Sequence, residues 1–258
     1  VTICGGEDRY YPCKFENEFV PMVEDLEKLV DDNTVAILYN FPSNPTGGTL
    51  NQAQRDELLD FAVRNDLWII SDEVYDKIVF EGQHVSFMGV DYDKVFVVNS
   101  FSKTFAMTGW RIGYIISTNL EAMTQVIKMQ YYITACSTDA MQYAVLAAME
   151  SAADYPELIA KEFKERCDII VDRLNAMPGV ECHKPKGAIY VFPKVHIDGM
   201  NSEEVALELL KDGVLCSPGS AFGPSGEGHL RFAYTVSKEN ISLGMDKVES
   251  TLKRLNGL

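Results

Sequence analysis

The stretch "SFSKTFAMTGWRIGY", residues 100–114, places a lysine and an arginine in an apolar segment that contains two glycines. Lys103 lies between Phe101 and Phe105, so we expect its side chain to be half buried. Burial of an ammonium group costs free energy unless the group is paired or neutral. Lys103 is therefore a candidate for amine chemistry, although a lysine that extends along a hydrophobic strand end into water would give the same pattern.

The length and charge of the chain limit what it can be. Its 258 residues suffice for one large domain or two moderate ones, and 47% hydrophobic with 24% charged residues is ordinary globular composition. The net charge of −15 argues against nucleic acid and anionic membranes as partners. A small anion bound at a local basic site remains compatible with that charge.

Cysteine and histidine usage argues against a disulfide framework and against a metal site. The six cysteines form no C-x-x-C pair and have mostly apolar neighbours, which is typical of reduced thiols in a cytoplasmic protein. The four histidines are scattered without the spacing of metal ligands. No apolar run is long enough to span a membrane. We therefore expect a cytoplasmic protein without a metal.

Alternating strand and helix patterns predict the fold of the first two thirds. Short apolar runs rich in β-branched residues favour strands in a sheet that is buried on both faces. Those runs are 35–39, 67–71, 94–100 and 112–117. Helical patterns lie at 21–30, which opens on Pro21, and at 51–65, with Thr49 or Asn51 as its cap. This alternation predicts right-handed βαβ units and a mainly parallel sheet.

The predicted secondary structure changes in the remaining chain. Residues 119–175 have a helical pattern throughout, and the composition of 139–151 is that of a buried helix. After Pro178-Gly179, short strands alternate with glycine and proline turns and with helices near 202–212 and 237–256. The predicted class is α/β. A partial large domain over 1–172, with its sheet sandwiched by helices, precedes a small α+β domain over 173–258.

Polar side chains cluster where the predicted strands end, which is the edge at which open α/β sheets bind ligands. The ends of successive strands carry an amide, a carboxylate with a phenol, and an amine with two hydroxyls, and an arginine opens the fourth strand. These residues are Asn44, Asp72, Tyr75, Ser100, Ser102, Lys103 and Arg111. A phosphorylated pyridine aldehyde needs such a set, and its ring is an electron sink for a carbanion. Each residue alone also fits a turn, a cap, a core position or a surface ion pair.

Three motifs carry a family resemblance. They are N-P-T-G at 44–47, D-x-x-Y at 72–75 and S-x-S-K-x-x-x-x-x-G-x-R-x-G-Y at 100–114, and they are followed by a late strand that contains Arg231. Together they resemble the fold type I pyridoxal-phosphate aminotransferases of class I/II, and the similarity covers nearly the whole chain. The resemblance implies transfer of an amino group between an α-amino acid and a 2-oxo acid, by a homodimer.

The resemblance also implies a role for each residue near the cofactor ring. Lys103 would form the Schiff base with pyridoxal 5'-phosphate and then move the proton at the substrate α-carbon. Asp72 would pair with the pyridine nitrogen, and Val74 would pack on one face of the ring. Tyr75 and Asn44 would hydrogen-bond the ring hydroxyl.

Further contacts follow from the same resemblance. Ser100, Ser102 and Arg111 would bind the cofactor phosphate, and Arg231 would clamp the α-carboxylate of the substrate, with Asn44 beside it. We also expect the Asn44–Pro45 bond to be cis, because the asparagine amide must be aimed and a cis bond before proline costs only about 0.5–1 kcal/mol.

The family has a large N-terminal portion that this sequence does not match, and the chain opens without Met on what resembles a strand already under way. We therefore expect an N-terminally truncated chain that is inactive or nearly so. In such a chain the apolar residues around 1–40 and 119–145 would be more exposed than their composition suggests.

Two alternatives stay open at this point. One is a carbon–sulfur β-lyase on the same fold, although such relatives usually carry an aromatic residue where this chain has Gly48-Thr49-Leu50. The other is a fragment without catalytic activity. The sequence does not decide between acidic, aromatic and alanine-type amino acids as substrates.

Overall fold

The structure is a computed structural model that describes residues 1–257. Within them the α-helices are α1 (Val23–Leu26), α2 (Gln52–Arg64), α3 (Phe101–Thr104), α4 (Leu120–Thr134), α5 (Asp139–Ser151), α6 (Tyr155–Asn175), α7 (Ser202–Lys211) and α8 (Lys238–Leu255). The strands are β1 (Ala36–Asn40), β2 (Trp68–Asp72), β3 (Val95–Ser100), β4 (Gly113–Ile116), β5 (Val180–Glu181), β6 (Tyr190–Val191), β7 (Lys194–Val195), β8 (Ser217–Pro218) and β9 (Leu230–Ala233).

The chain divides into two compact units. The sheet unit comprises residues 32–43 and 49–161, and the C-terminal unit comprises 1–31, 44–48 and the chain from 162 onward. In the late part of the chain these units divide between residues 161 and 162, whereas the sequence analysis placed the domain boundary between 172 and 173, further along the same helix α6. The first residues join the C-terminal unit because Glu18 pairs with Lys186 and the His183 ring bonds the Phe15 carbonyl, with 2.8 Å from Nε2 to O. A local sequence pattern does not indicate contacts between residues so far apart in the chain.

The central sheet of the sheet unit has the order β1-β2-β3-β4. The first three strands are parallel, as predicted, and their register pairs Asn40 with Asp72 and Asp72 with Val98. Their carboxyl ends therefore meet at one edge. β4 is antiparallel to β3 and exposed along its whole length, so the prediction of a sheet buried on both faces is wrong for this strand.

The core of the sheet unit lies where α2 covers the parallel strands. α2 begins at the predicted cap, Asn51, whose side chain and that of Gln54 form a capping box. Its apolar residues Leu58 and Phe61 are buried, and the Leu58 carbonyl accepts a hydrogen bond from the Tyr39 hydroxyl on β1 over 3.3 Å. Helix and sheet are thus joined by apolar contact and by one buried polar contact.

Two helix predictions need correction. The helix predicted over 21–30 is the single turn α1, which starts after Pro21 and has no side-chain cap, and an isolated turn gains little from cooperative hydrogen bonding. The helix predicted to be buried over 139–151 is α5, in which only Val145 is buried. In α4 no residue is buried. The separate expectation of unusual exposure over 119–145 is therefore confirmed.

The C-terminal unit combines the C-terminal part of α6 with α7, α8 and short antiparallel strands. β5 pairs with β7, and β6, β9 and β8 form a three-stranded sheet in that order. Fully buried Leu174, Leu209 and Leu230 come from α6, α7 and β9. This part is α+β, as predicted. Among residues 1–257, no helix has both the length and the apolar character that a membrane crossing requires.

We predict that Leu58→Ala lowers the free energy of unfolding by about 2–5 kcal/mol, because the side chain is buried and its removal leaves a cavity. Chemical denaturation monitored by circular dichroism measures the loss. Val63→Ala on the exposed side of the same helix is the matched control, with an expected change below about 1 kcal/mol. Equal losses in both variants would contradict this account of the core.

Candidate active site

The predicted site residues fall into two groups, one in each unit. Seven lie in the sheet unit at the carboxyl ends of β2 and β3 and in the segments that follow: Asp72, Val74, Tyr75, Ser100, Ser102, Lys103 and Arg111. The other two, Asn44 and Arg231, lie in the C-terminal unit. Each group contains residues that lie far apart in the chain.

Lys103 lies in the short helix α3 that follows β3. Its side chain is half buried, as expected, and Nζ lies 5.6 Å from the centroid of the buried Tyr75 ring, within the range of a cation–π contact. In the described part of the chain no carboxylate forms an ion pair with this amine. The amine is thus held beside an aromatic ring without an anionic partner.

Asp72 is the last residue of β2 and is half buried. Burial raises the pKa of Asp72, although hydrogen bonds from the Val74 amide and from Asn40 oppose the rise. The Val74 nitrogen lies 3.3 Å from the Asp72 carboxylate. No cation in residues 1–257 pairs with this carboxylate, so a positively charged ligand group would stabilise its ionised form.

A buried hydrogen-bond network adjoins Asp72, and sequence reasoning missed it. The Glu73 carboxylate accepts hydrogen bonds from Ser71 Oγ at 2.8 Å, His84 Nε2 at 2.7 Å and the Phe87 amide at 3.0 Å. Burial acts to raise the pKa of Glu73, but these hydrogen bonds outweigh it and leave the pKa below its usual value. The network closes the loop after β2 and so fixes the residues next to Asp72. The separation of 11 residues between Glu73 and His84 gives no sequence signal.

The three residues predicted to bind phosphate differ in their surroundings. The Ser100 hydroxyl donates to the Ile112 carbonyl at 3.1 Å and accepts from the Ser102 amide at 3.0 Å, so it caps α3. The Ser102 hydroxyl takes part in no hydrogen bond within residues 1–257. Arg111 is exposed, has a left-handed φ of 53° and donates one hydrogen bond to the Thr108 carbonyl. Ser102 and Arg111 therefore keep donors for a ligand, whereas the Ser100 hydroxyl is already used.

In the C-terminal unit, Arg231 and Asn44 lie in direct contact. Arg231 Nη1 donates to Asn44 Oδ1 over 2.9 Å, a contact between residues 187 positions apart. The Asn44–Pro45 bond is cis, which confirms that expectation, and the Phe41–Pro42 bond, which the sequence analysis did not address, is also cis. The contact joins an amide and a guanidinium in one polar group.

Three further residues around Arg231 were missed from sequence. Ser217 Oγ accepts a hydrogen bond from Nη2 at 2.9 Å. The guanidinium carbon lies 4.6 Å from the Tyr190 ring centroid and 4.9 Å from that of Phe222. Because β9 pairs with both β6 and β8, residues distant in sequence become neighbours of Arg231. An arginine held in this way binds a carboxylate bidentately.

Comparison with known proteins identifies the family. The profile of the family "Aminotransferase class I and II" matches residues 1–248. The chain belongs to that family.

Individual relatives support the assignment. The chain is 38% identical, over 98% of its length, to the aromatic-amino-acid aminotransferase 2 of Thermococcus litoralis and to an aspartate aminotransferase of Pyrococcus abyssi. Its structure matches an aromatic aminotransferase from Pyrococcus horikoshii with a TM-score of 0.94 and 37% identity, over 98% of this chain and 69% of that one. The chain spans 66% of the length of each of the first two relatives, slightly less than two thirds.

Class I and II aminotransferases depend on pyridoxal phosphate. The sheet unit fits that cofactor in three respects. Lys103 offers an amine without an anionic partner, Asp72 offers a half-buried carboxylate without a cation, and Ser102 and Arg111 retain donors for a phosphate. These four residues of the sheet unit are therefore chemically suited to that cofactor.

The Glu73 network generates a prediction on stability and pH. Because the pKa of Glu73 is lower in the folded protein than in the unfolded chain, its ionised form stabilises the fold above the unfolded pKa of about 4.3, and this contribution is lost as the pH falls through the folded value. We expect Glu73→Gln to lower the free energy of unfolding by about 1–3 kcal/mol at pH 7. The difference from the wild type should shrink below about pH 4.

Urea denaturation at pH 7 and at about pH 3 measures the effect. Glu57→Gln, an exposed glutamate on α2, is the matched control and should change little at either pH. A deficit in Glu73→Gln that is the same at both values would show that the charge of Glu73 does not contribute.

Proposed function

We propose that the protein is an aminotransferase that moves an amino group between an α-amino acid and a 2-oxo acid, with pyridoxal phosphate held by Lys103. The observation that carries the proposal is that the sheet unit holds, after the carboxyl ends of neighbouring strands, a half-buried amine without an anionic partner and a half-buried carboxylate without a cationic one. Leaving both charges unpaired costs stability, and functional sites are where proteins retain such a cost. Membership of the aminotransferase family names the chemistry that needs both groups.

When bound, the cofactor supplies an electron sink for a carbanion at the substrate α-carbon. The role proposed for Lys103 is to hold the cofactor covalently and then to carry the proton to and from that carbon. Asp72 would pair with the ring nitrogen, and the loop fixed by Glu73 and His84 would hold its carboxylate in place. Val74 would pack on one ring face, and Tyr75, whose ring lies 5.6 Å from Lys103 Nζ, would contact the ring hydroxyl.

We propose that the cofactor phosphate is bound through the Ser102 hydroxyl and the Arg111 guanidinium. The left-handed backbone of Arg111 is uncommon for a residue with a side chain, and such conformations concentrate at functional sites. The role of Ser100 is to cap α3 and so position Ser102, since its hydroxyl already bonds backbone groups. Its direct bond to phosphate, implied by the family resemblance, stays a prediction.

The substrate carboxylate is the ligand proposed for Arg231. The rings of Tyr190 and Phe222 lie next to its guanidinium, and the Asn44 amide oxygen bonds one terminal nitrogen. These surroundings favour a planar, anionic partner. Among the relatives, one is named for aromatic amino acids and another for aspartate, so the proposal covers α-amino acids and commits to no side chain. These aminotransferase names favour transfer over the β-lyase alternative.

Two broader features complete the proposal. We propose a homodimer, because large apolar side chains are exposed on α4 and α5, such as Ile127, Tyr132 and Tyr143, and extended apolar surface marks association. We also propose a cytoplasmic location, for which the six free cysteines are the support.

We predict that borohydride treatment of the protein as the gene encodes it, loaded with pyridoxal phosphate, fixes the cofactor on Lys103. Mass spectrometry of a tryptic digest locates the adduct. Lys103→Ala should abolish the adduct and the visible absorbance, whereas Lys128→Ala, which removes an exposed lysine of α4, should leave both unchanged. A reducible adduct that survives in Lys103→Ala would refute the assignment.

A second prediction concerns Asp72. Asp72→Asn preserves size and the acceptor for the Val74 amide but removes the charge, so we expect kcat to fall by about 10²–10³ while cofactor affinity changes little. Steady-state transamination and cofactor titration measure the two quantities. The control is Asp60→Asn, an exposed aspartate on α2. Unchanged turnover in Asp72→Asn would remove this carboxylate from the mechanism.

A further inference from the structure

The surroundings of Arg231 restrict how it can bind a ligand. Tyr190 and Phe222 lie within 5 Å of the guanidinium carbon, and Phe222 also packs on Phe192 with ring centroids 5.9 Å apart. The Nε atom of Arg231 is buried and has no hydrogen-bond partner in residues 1–257. A ligand therefore cannot bind across the Nε edge. The two terminal nitrogens are the atoms that can receive it.

Each terminal nitrogen of Arg231 has one hydrogen bonded within the protein and one that is not. Each Nη carries two, and one on each is already used, by Asn44 Oδ1 on Nη1 and by Ser217 Oγ on Nη2. One hydrogen therefore remains on each nitrogen. A carboxylate that binds end-on needs this pair, one hydrogen from each Nη.

We propose that Ser217 is a positioning residue of the carboxylate site. With Asn44 it fixes the guanidinium in its plane, so that one hydrogen of each terminal nitrogen points in the direction that an end-on carboxylate requires. Asn44 alone leaves Nη2 without a hydrogen-bond partner. Ser217 supplies the second fixed point, on the terminal nitrogen that Asn44 does not bond.

The loop that starts at Ser217 is built to hold this serine in place. A Cβ on Gly219 would lie 1.9 Å from the Gly226 carbonyl oxygen, so the two ends of the loop touch through their backbones. Glu227 accepts from the Ser202 amide at 2.7 Å and from its hydroxyl at 3.0 Å, which ties the loop to the start of α7. The position of the Ser217 hydroxyl is therefore set by the loop and by its pairing with Arg231 in β9.

This inference rests on the proposed function, because it assigns Arg231 to the substrate carboxylate. Amino-acid and 2-oxo-acid substrates share that carboxylate, so loss of the Ser217 acceptor should weaken both to the same extent. We expect Ser217→Ala to raise KM for both substrates by about tenfold and to leave kcat within about twofold, since a hydrogen bond to a charged group is lost but no reacting atom is touched.

The experiment compares four variants of the protein as the gene encodes it. Ser217→Ala removes the acceptor, Ser217→Cys keeps nearly the same volume with a weak acceptor, and Ser217→Thr restores the hydroxyl. The matched control is Ser220→Ala, an exposed serine of the same loop. For each variant, KM and kcat are measured for both substrates, the dissociation constant of 2-oxoglutarate is measured by calorimetry, and the cofactor absorbance and melting temperature are recorded.

The expected result is equal weakening of both substrates in Ser217→Ala and Ser217→Cys, near-normal values in Ser217→Thr and Ser220→Ala, and an unchanged cofactor spectrum. Wild-type KM values and 2-oxoglutarate affinity in a folded Ser217→Ala or Ser217→Cys would overturn the proposal. So would weakening of one substrate alone. If the proposed function itself is wrong, a different result is expected. The wild-type protein would then form no borohydride-stable adduct at Lys103 and would transfer no amino group.

Discussion

The parallel hydrogen bonding of β1, β2 and β3 is the constraint on which the arrangement of the sheet unit depends. Because these strands run in one direction, their carboxyl ends meet at one edge, and the register pairs Asn40 with Asp72. β3 then ends at Ser100, whose hydroxyl starts the short helix that carries Lys103. A shift of one residue in any of these strands would turn its end residue to the other face of the sheet.

Two adjacent carboxylates at this edge, Asp72 and Glu73, have different electrostatic surroundings. Glu73 is fully buried and satisfied by three donors, so its charge is stabilised by the protein alone. Asp72, its neighbour, receives hydrogen bonds from the Val74 amide and from Asn40, but burial still raises its pKa. Two adjacent carboxylates thus differ because the folded chain supplies donors to one and leaves the other for an incoming cation.

In the C-terminal unit, the protein likewise satisfies some hydrogen-bonding groups of a charged side chain, the Arg231 guanidinium, and leaves others. Arg231 has two of its five donors bonded by Asn44 and Ser217, and aromatic rings limit access to its faces. One hydrogen on each terminal nitrogen remains for a ligand. In the proposed carboxylate site, the buried Nε and the two aromatic rings would contribute to specificity for a planar anion by excluding other binding modes.

The sequence by itself determined the family and the main elements of secondary structure. Periodicity located the four strands and the capped helix α2, and the motifs around Asn44, Asp72, Lys103 and Arg111 indicated the family and the cofactor. These signals are local: a strand's β-branched run, a cap and a motif of 15 residues are each visible within a short window.

The tertiary structure alone decided the features that depend on contacts between distant residues. It assigned residues 1–31 to the C-terminal unit, left α4 without a buried residue, paired Glu73 with His84 and set Ser217, Tyr190 and Phe222 around Arg231. Burial and hydrogen-bond partners are properties of three-dimensional packing, and an apolar helix such as α5 has the same sequence pattern whether or not another element covers it.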